Sequence, residues 1–124
     1  MRWDGFCGLA SAKRKKGRHW QRATSNLFTV VPLLESLQTS TPVLVVGTNI
    51  ASSLAGKTGG ALHETPQQID IIRPLTRFAR RVAGPDEIPE AFAAAAAILR
   101  SPAPGPVFIE IPHDFFAAPV PVKA

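Results

Sequence analysis

Two adjacent pairs of a histidine and a carboxylate are the side chains of this sequence best suited to acid–base chemistry. They are His63-Glu64, in a polar, glycine-rich stretch, and His113-Asp114, at the end of an apolar run. An imidazole beside a carboxylate can move a proton or pair with a cofactor. An exposed loop pair is the simpler interpretation of both. Neither pair has a third ligand at metal-site spacing, so no metal site is predicted.

Residues 51–58 form a loose match to a phosphate-binding loop, with Gly56, Lys57 and Thr58 at its end. Such a loop leaves its strand directly, and a helix starts at the lysine so that backbone amides face the phosphates. Here residues 47–50 separate the match from the apolar run before it, and Gly59-Gly60 follow at once. Two glycines cost about 2 kcal/mol of helix propensity relative to alanine. A nucleoside triphosphate site is therefore a disfavoured alternative.

The positive charge of the chain is concentrated at its beginning. Residues 1–22 hold seven basic and one acidic side chain, whereas the remaining 102 hold seven and eight, which together give the net charge of +5. This segment shows no apolar periodicity, and its basic run at residues 13–16 could be a nucleic-acid-binding arm. A basic tail without that role is the favoured interpretation, since short basic runs are common.

The rest of the chain has the pattern of a parallel α/β sheet. Strand-like apolar runs alternate with amphipathic segments, and Pro and Gly punctuate them. The predicted order is helix 25–38, strand 43–46, a loop with a helical turn near Ser52, helix 65–72, strand 78–82, helix 86–100 and strand 107–111. Pro32 is expected to kink the first helix or delay its start. We expect helices on both faces of the sheet, and ligands at the carboxyl ends of its strands.

Length and composition limit the class of protein. The 124 residues make one domain at most, and no apolar run approaches the ~18 residues of a membrane span. The single cysteine, Cys7, cannot form an internal disulfide, which fits a reducing cytoplasm.

Four segments, in this order, resemble the pyrimidine-binding domain of thiamine diphosphate-dependent enzymes of the acetolactate synthase and benzoylformate decarboxylase type. They are Asn26-Leu27 with the helix and the strand to Gly47, the loop at 60–64, Arg73 to Arg77, and Gly105 to Asp114. The resemblance implies a cofactor held between two subunits of a homodimer or tetramer, with a separate domain binding the diphosphate through magnesium. It also implies 2-keto acid substrates, and that Asn26 and His63 lie near the cofactor.

The sequence departs from that family at its beginning. The family has earlier strands, one of which carries a glutamate that protonates the cofactor ring, and residues 1–22 hold no glutamate and no strand-like run. The fold class predicted is therefore a three-layer α/β sandwich with a parallel sheet that lacks the first strands. The predicted parts are a basic, disordered segment at 1–22, a partial cofactor domain at 23–116 and a linker-like tail at 117–124.

We interpret the chain as a truncated or frame-disrupted family member, inactive by itself, since it also lacks a glycine-aspartate-glycine diphosphate motif. Missing strands would leave an open sheet edge and an uncovered helix face, so poor solubility or dependence on a partner is expected.

Overall fold

A computed structural model describes residues 29–57 and 67–117, together with the backbone of Ala10–Ser11. The elements, in chain order, are β1 (Ala10–Ser11), α1 (Val30–Gln38), β2 (Val43–Asn49), α2 (Gln68–Ile72), β3 (Phe78–Arg81), α3 (Ile88–Leu99) and β4 (Val107–Pro112). Short 3-10 turns lie between them at Ser52–Leu54, Arg73–Leu75 and Pro85–Glu87, and a further turn, His113–Ala117, follows β4.

The sheet has the order β1-β2-β4-β3, and β2, β4 and β3 are parallel. The last strand in sequence therefore lies between the other two parallel strands. Val107 aligns with both Leu44 of β2 and Phe78 of β3, so the three strands begin at the same level. This confirms the predicted parallel α/β fold.

β4 is buried along its whole length, because helices cover both faces of the sheet. Its side chains at 107, 109 and 111 pack with α3, where Ala91 and Ala95 are buried and allow a close approach. Phe108 points to the opposite face and packs with Leu33 of α1 and Ile72 of α2. The arrangement is the expected three-layer sandwich.

Several element boundaries differ from the prediction. Among the described residues α1 begins at Val30, so Pro32 lies in its first turn, where a missing N–H costs no helical hydrogen bond. β2 does not end at Gly47, because pairing with β4 carries it to Asn49. β4 likewise includes Pro112.

Two further differences concern the start of α2 and the basic segment. The described part of α2 begins at Gln68 rather than at residue 65, and residues 65 and 66 lie outside the described part. The segment expected to contain no strand supplies β1, whose two residues pair antiparallel with Leu44 and Val43. Backbone pairing to a sheet edge needs no apolar periodicity, which is why the sequence pattern gave no sign of it. No helix of the described residues is long and apolar enough to cross a membrane.

Candidate functional site

A crevice of about 200 Å³ lies at the carboxyl ends of the parallel strands. After β2 the chain passes to α2 on one face of the sheet, and after β3 it passes to α3 on the other. Connections that leave in opposite directions open such a crevice at the carboxyl edge of an α/β sheet. The residues lining it are Asn49, Ile50, Ser52, Ala55, Gly56, Arg81, Glu110 and Pro112.

Glu110 lies beneath this crevice and is 0% exposed. It occupies the middle strand, on the sheet face that carries α1 and α2. Burial of an unpaired carboxylate is strongly unfavourable, so its neighbours must supply both hydrogen bonds and positive charge.

Three side chains donate hydrogen bonds to the Glu110 carboxylate. Arg81 Nε and Asn49 Nδ2 both donate to Oε1, at 2.6 and 2.7 Å. Gln68 Nε2 donates to Oε2 at 3.2 Å and lies 3.3 Å from the carbonyl oxygen of Thr48. Arg81 ends β3, Asn49 ends β2, and Gln68 begins α2. The carboxylate therefore joins three elements to β4.

This geometry makes Glu110 poorly suited to proton transfer. A carboxylate has about four acceptor positions, three of which are occupied here, and Arg81 compensates its charge. The arrangement is that of a fixed hydrogen-bonding centre.

The surroundings of His113-Asp114 favour the simpler interpretation, a loop pair, over an acid–base site. Asp114 accepts two hydrogen bonds from Ser52, at Oδ1 from the backbone N–H (3.0 Å) and at Oδ2 from the hydroxyl (2.7 Å). The Ser52 hydroxyl, followed by its N–H, lowers the pKa of Asp114 below the usual value for aspartate. His113 is exposed. The two hydrogen bonds to Asp114 thus connect the loop after β2 to the turn after β4.

The loop at 51–57 also differs from a phosphate-binding loop. β2 runs on to Asn49, and the loop then makes a 3-10 turn at Ser52–Leu54 rather than an immediate glycine-rich turn. Lys57 is exposed and lies outside any helix. Within the described ranges, no group of three or more histidine, cysteine or acidic side chains could hold a metal ion.

The candidate cofactor contacts Asn26 and His63, and also Glu64, lie outside the described residues. The structure therefore leaves both contacts as predictions. The prediction missed the Glu110 cluster, although one signal was available. Glu110 is the only charged residue within the apolar run from Val107 to Ile111.

Over part of its length the chain is similar to curated proteins. It is 42% identical over 81 residues to the probable 2-ketoarginine decarboxylase of Pseudomonas aeruginosa and 36% identical over 86 residues to 2-hydroxyacyl-CoA lyase 2 of Danio rerio. It is 33% identical over 78 residues to the probable acetolactate synthase large subunit of Methanocaldococcus jannaschii. The alignments take in 60 to 69% of this chain but only 12 to 14% of these relatives. No family model matches the chain.

The fold is shared with a solved structure, that of benzoylformate decarboxylase from Polynucleobacter necessarius. The TM-score is 0.68 at 23% identity, and the match covers 77% of this chain and 18% of that one. At this identity the likeness concerns the fold alone. These four proteins are thiamine diphosphate-dependent enzymes. The matched region is thus similar to one part of several thiamine diphosphate-dependent enzymes. The resemblance described from the sequence is confirmed for this region.

The Glu110 cluster does not fit the part of a glutamate that binds thiamine diphosphate. Such a glutamate needs an oxygen that faces the cofactor ring. Glu110 is wholly buried, and its oxygens accept hydrogen bonds from Asn49, Arg81 and Gln68. We therefore derive no catalytic step from Glu110.

Proposed function

We propose that this chain supplies the pyrimidine-binding half of a thiamine diphosphate site in an enzyme that acts on 2-keto acids, as an acetolactate synthase-like carboligase or a decarboxylase. The observation that carries the proposal is the 42% identity over 81 residues to a decarboxylase. The fold match to benzoylformate decarboxylase agrees with it as far as the fold is concerned.

In this proposal the chain's own residues bind and orient the cofactor. When bound, thiamine diphosphate supplies the carbanion that attacks the 2-keto acid. Asn26 and His63 contact the aminopyrimidine. Magnesium and the diphosphate are held by a domain outside these 124 residues. The site is completed in a homodimer or tetramer, in the cytoplasm.

We further propose that the 124 residues by themselves do not turn over a 2-keto acid. The supporting observation is from the sequence, in which no glycine-aspartate-glycine motif and no early-strand glutamate occur. A decarboxylation assay with pyruvate and benzoylformate tests this directly, and turnover by the purified chain would contradict it.

The binding proposal is tested by NMR titration with thiamine, thiamine diphosphate and the isolated aminopyrimidine alcohol. We expect saturable shifts with a Kd on the order of 1 mM, or about 4 kcal/mol, because only half of the site is present. Thiamine and thiamine diphosphate should bind equally, with or without magnesium, since the diphosphate finds no partner.

Variants identify the residues responsible. Asn26→Ala and His63→Ala should each weaken binding, whereas His113→Ala is the matched control, because His113 is exposed. Absence of saturable shifts, or equal binding by His63→Ala and the wild type, would refute the proposal. Tight, magnesium-dependent binding of thiamine diphosphate would refute the half-site interpretation.

A further inference from the structure

Glu110 joins parts of the chain that are far apart in sequence. Its carboxylate accepts hydrogen bonds from the end of β2, the end of β3 and the start of α2. The hydrogen-bonded partners are 61, 29 and 42 residues away along the chain. One side chain therefore fixes three elements at the carboxyl edge, where α/β folds bind ligands.

An apolar side chain of similar size could fill the space at this position. The presence of a carboxylate there therefore indicates a role other than filling space. Replacement of a buried ion pair by apolar residues is often neutral or stabilising, whereas polar groups can specify one arrangement of elements. A leucine at position 110 would leave the donors of Asn49, Arg81 and Gln68 without their acceptor. The polar network thus selects one placement of these donors.

α2 depends most on this network. It has five residues, too few for a helix that is stable alone. Its position comes from the buried side chains of Ile69 and Ile72 and from Gln68, which is 5% exposed. Apolar contacts permit small sliding movements, whereas the hydrogen bonds from Gln68 to Glu110 and to the Thr48 carbonyl fix the first turn.

We propose that Glu110 is a positioning residue that fixes the start of α2 against the carboxyl ends of the strands through Gln68. The hydrogen bond from Gln68 to Glu110, rather than the size of the side chain at position 110, determines where α2 begins. Its relevance to cofactor binding rests on the proposed function, because α2 is the first described element after His63 in sequence.

The deciding experiment changes the hydrogen bonding at position 110 and keeps the size of the side chain. In Glu110→Gln, the amide oxygen faces Arg81 and Asn49, so the amide nitrogen faces the Gln68 nitrogen and two donors meet. A residue that only fills space would be unaffected by this substitution.

Amide hydrogen exchange provides the measurement. The N–H groups of Asp70 and Ile71, which both donate to the Gln67 carbonyl, report on α2, and amides of α3 on the other face are the reference. We expect about tenfold faster α2 exchange in Glu110→Gln, the equivalent of about one lost hydrogen bond. Glu90→Gln, at an exposed acid in the first turn of α3, is the control.

A second variant covers the case in which Glu110→Gln unfolds the whole domain. Gln68→Met keeps the size of the side chain and leaves Glu110 with Arg81 and Asn49, so α2 exchange should rise about tenfold while α3 exchange stays unchanged. Unchanged α2 exchange in either Gln68→Met or Glu110→Gln would overturn the proposal. The experiment uses no cofactor, so failure of the pyrimidine titration would refute the proposed function and leave the positioning role standing.

Discussion

Two consecutive arginines on β3 have opposite surroundings because successive strand residues face opposite sides of a sheet. Arg80 lies on the α3 face and pairs with Glu87 and Glu90, at 3.2 and 3.0 Å. Arg81 lies on the α2 face and pairs with the buried Glu110 at 2.6 Å. The two side chains are chemically identical. The exposure of their partners therefore decides how much each ion pair contributes to the stability of the domain.

Arg81→Met should therefore destabilise the domain far more than Arg80→Met. Loss of Arg81 leaves the buried Glu110 carboxylate without a compensating charge, which should cost about 3 kcal/mol; this is the lower end for buried pairs, since Arg81 is itself 38% exposed. Arg80→Met should cause a smaller loss, because the side chain of its partner Glu90 is 74% exposed. Urea denaturation measures both, and equal losses would contradict the assignment.

The loop after β2 and the turn after β4 show how contacts between elements redefine a sequence motif. The residues Ala51 to Lys57 look like part of a phosphate-binding loop, and His113-Asp114 looks like an acid–base pair. Contact between them makes Ser52 the hydrogen-bond donor to Asp114. The presence of a strand, a loop and a turn was predictable from the sequence. Their contact depends on the neighbouring positions of β2 and β4 in the sheet, which no local pattern encodes.

The hydrogen bonds from Ser52 to Asp114 should make a measurable, pH-dependent contribution to the free energy of unfolding. Because the Ser52 hydroxyl and N–H lower the pKa of Asp114 in the folded state, the stabilisation is complete above the unfolded aspartate value of about 4. It is lost as the pH falls through the lower folded value. The difference in unfolding free energy between the wild type and Asp114→Asn should therefore be constant near neutral pH and shrink below pH ~4.

The same comparison in a Ser52→Ala background is the control. Removal of the hydroxyl takes away the largest cause of the lowered pKa, so the pH-dependent part should become smaller. The lowered pKa of Glu87, which follows mainly from the Ala83 N–H, is common to all these variants and cancels in the differences. A difference that stays constant down to about pH 2, well below the unfolded aspartate value, would show that Asp114 is not held by Ser52.

On the scale of the whole molecule, the sandwich leaves apolar side chains on the outside of α1. Val31 is 74% and Leu34 45% exposed, and they lie one helical turn apart. On the outer edge of β2, the described pairing with β1 is limited to Leu44 and Val43. The dependence on a partner stays a prediction, and these two features are the reason to test it.

We therefore expect concentration-dependent self-association, measured by sedimentation velocity. The variant V31K/L34K should shift the distribution toward monomer, because charged side chains on α1 oppose burial of that face. Leu54→Lys is the matched control, since Leu54 is also 45% exposed but lies in the loop after β2. A dilute, monomeric wild-type sample with a cooperative thermal transition would contradict the expected dependence on a partner.

The sequence by itself determined the parallel α/β class and the order of its elements. These follow from local patterns, since strand runs, helix periodicity and Pro or Gly breaks act over a few residues. The resemblance to thiamine diphosphate-dependent enzymes rested instead on four segments in the same order as in that family. The tertiary structure alone decided that β4 is the middle strand and that Glu110 is a shared acceptor for Asn49, Arg81 and Gln68. Those side chains are distant in sequence, and the crossing of α2 and α3 on opposite faces brings them together.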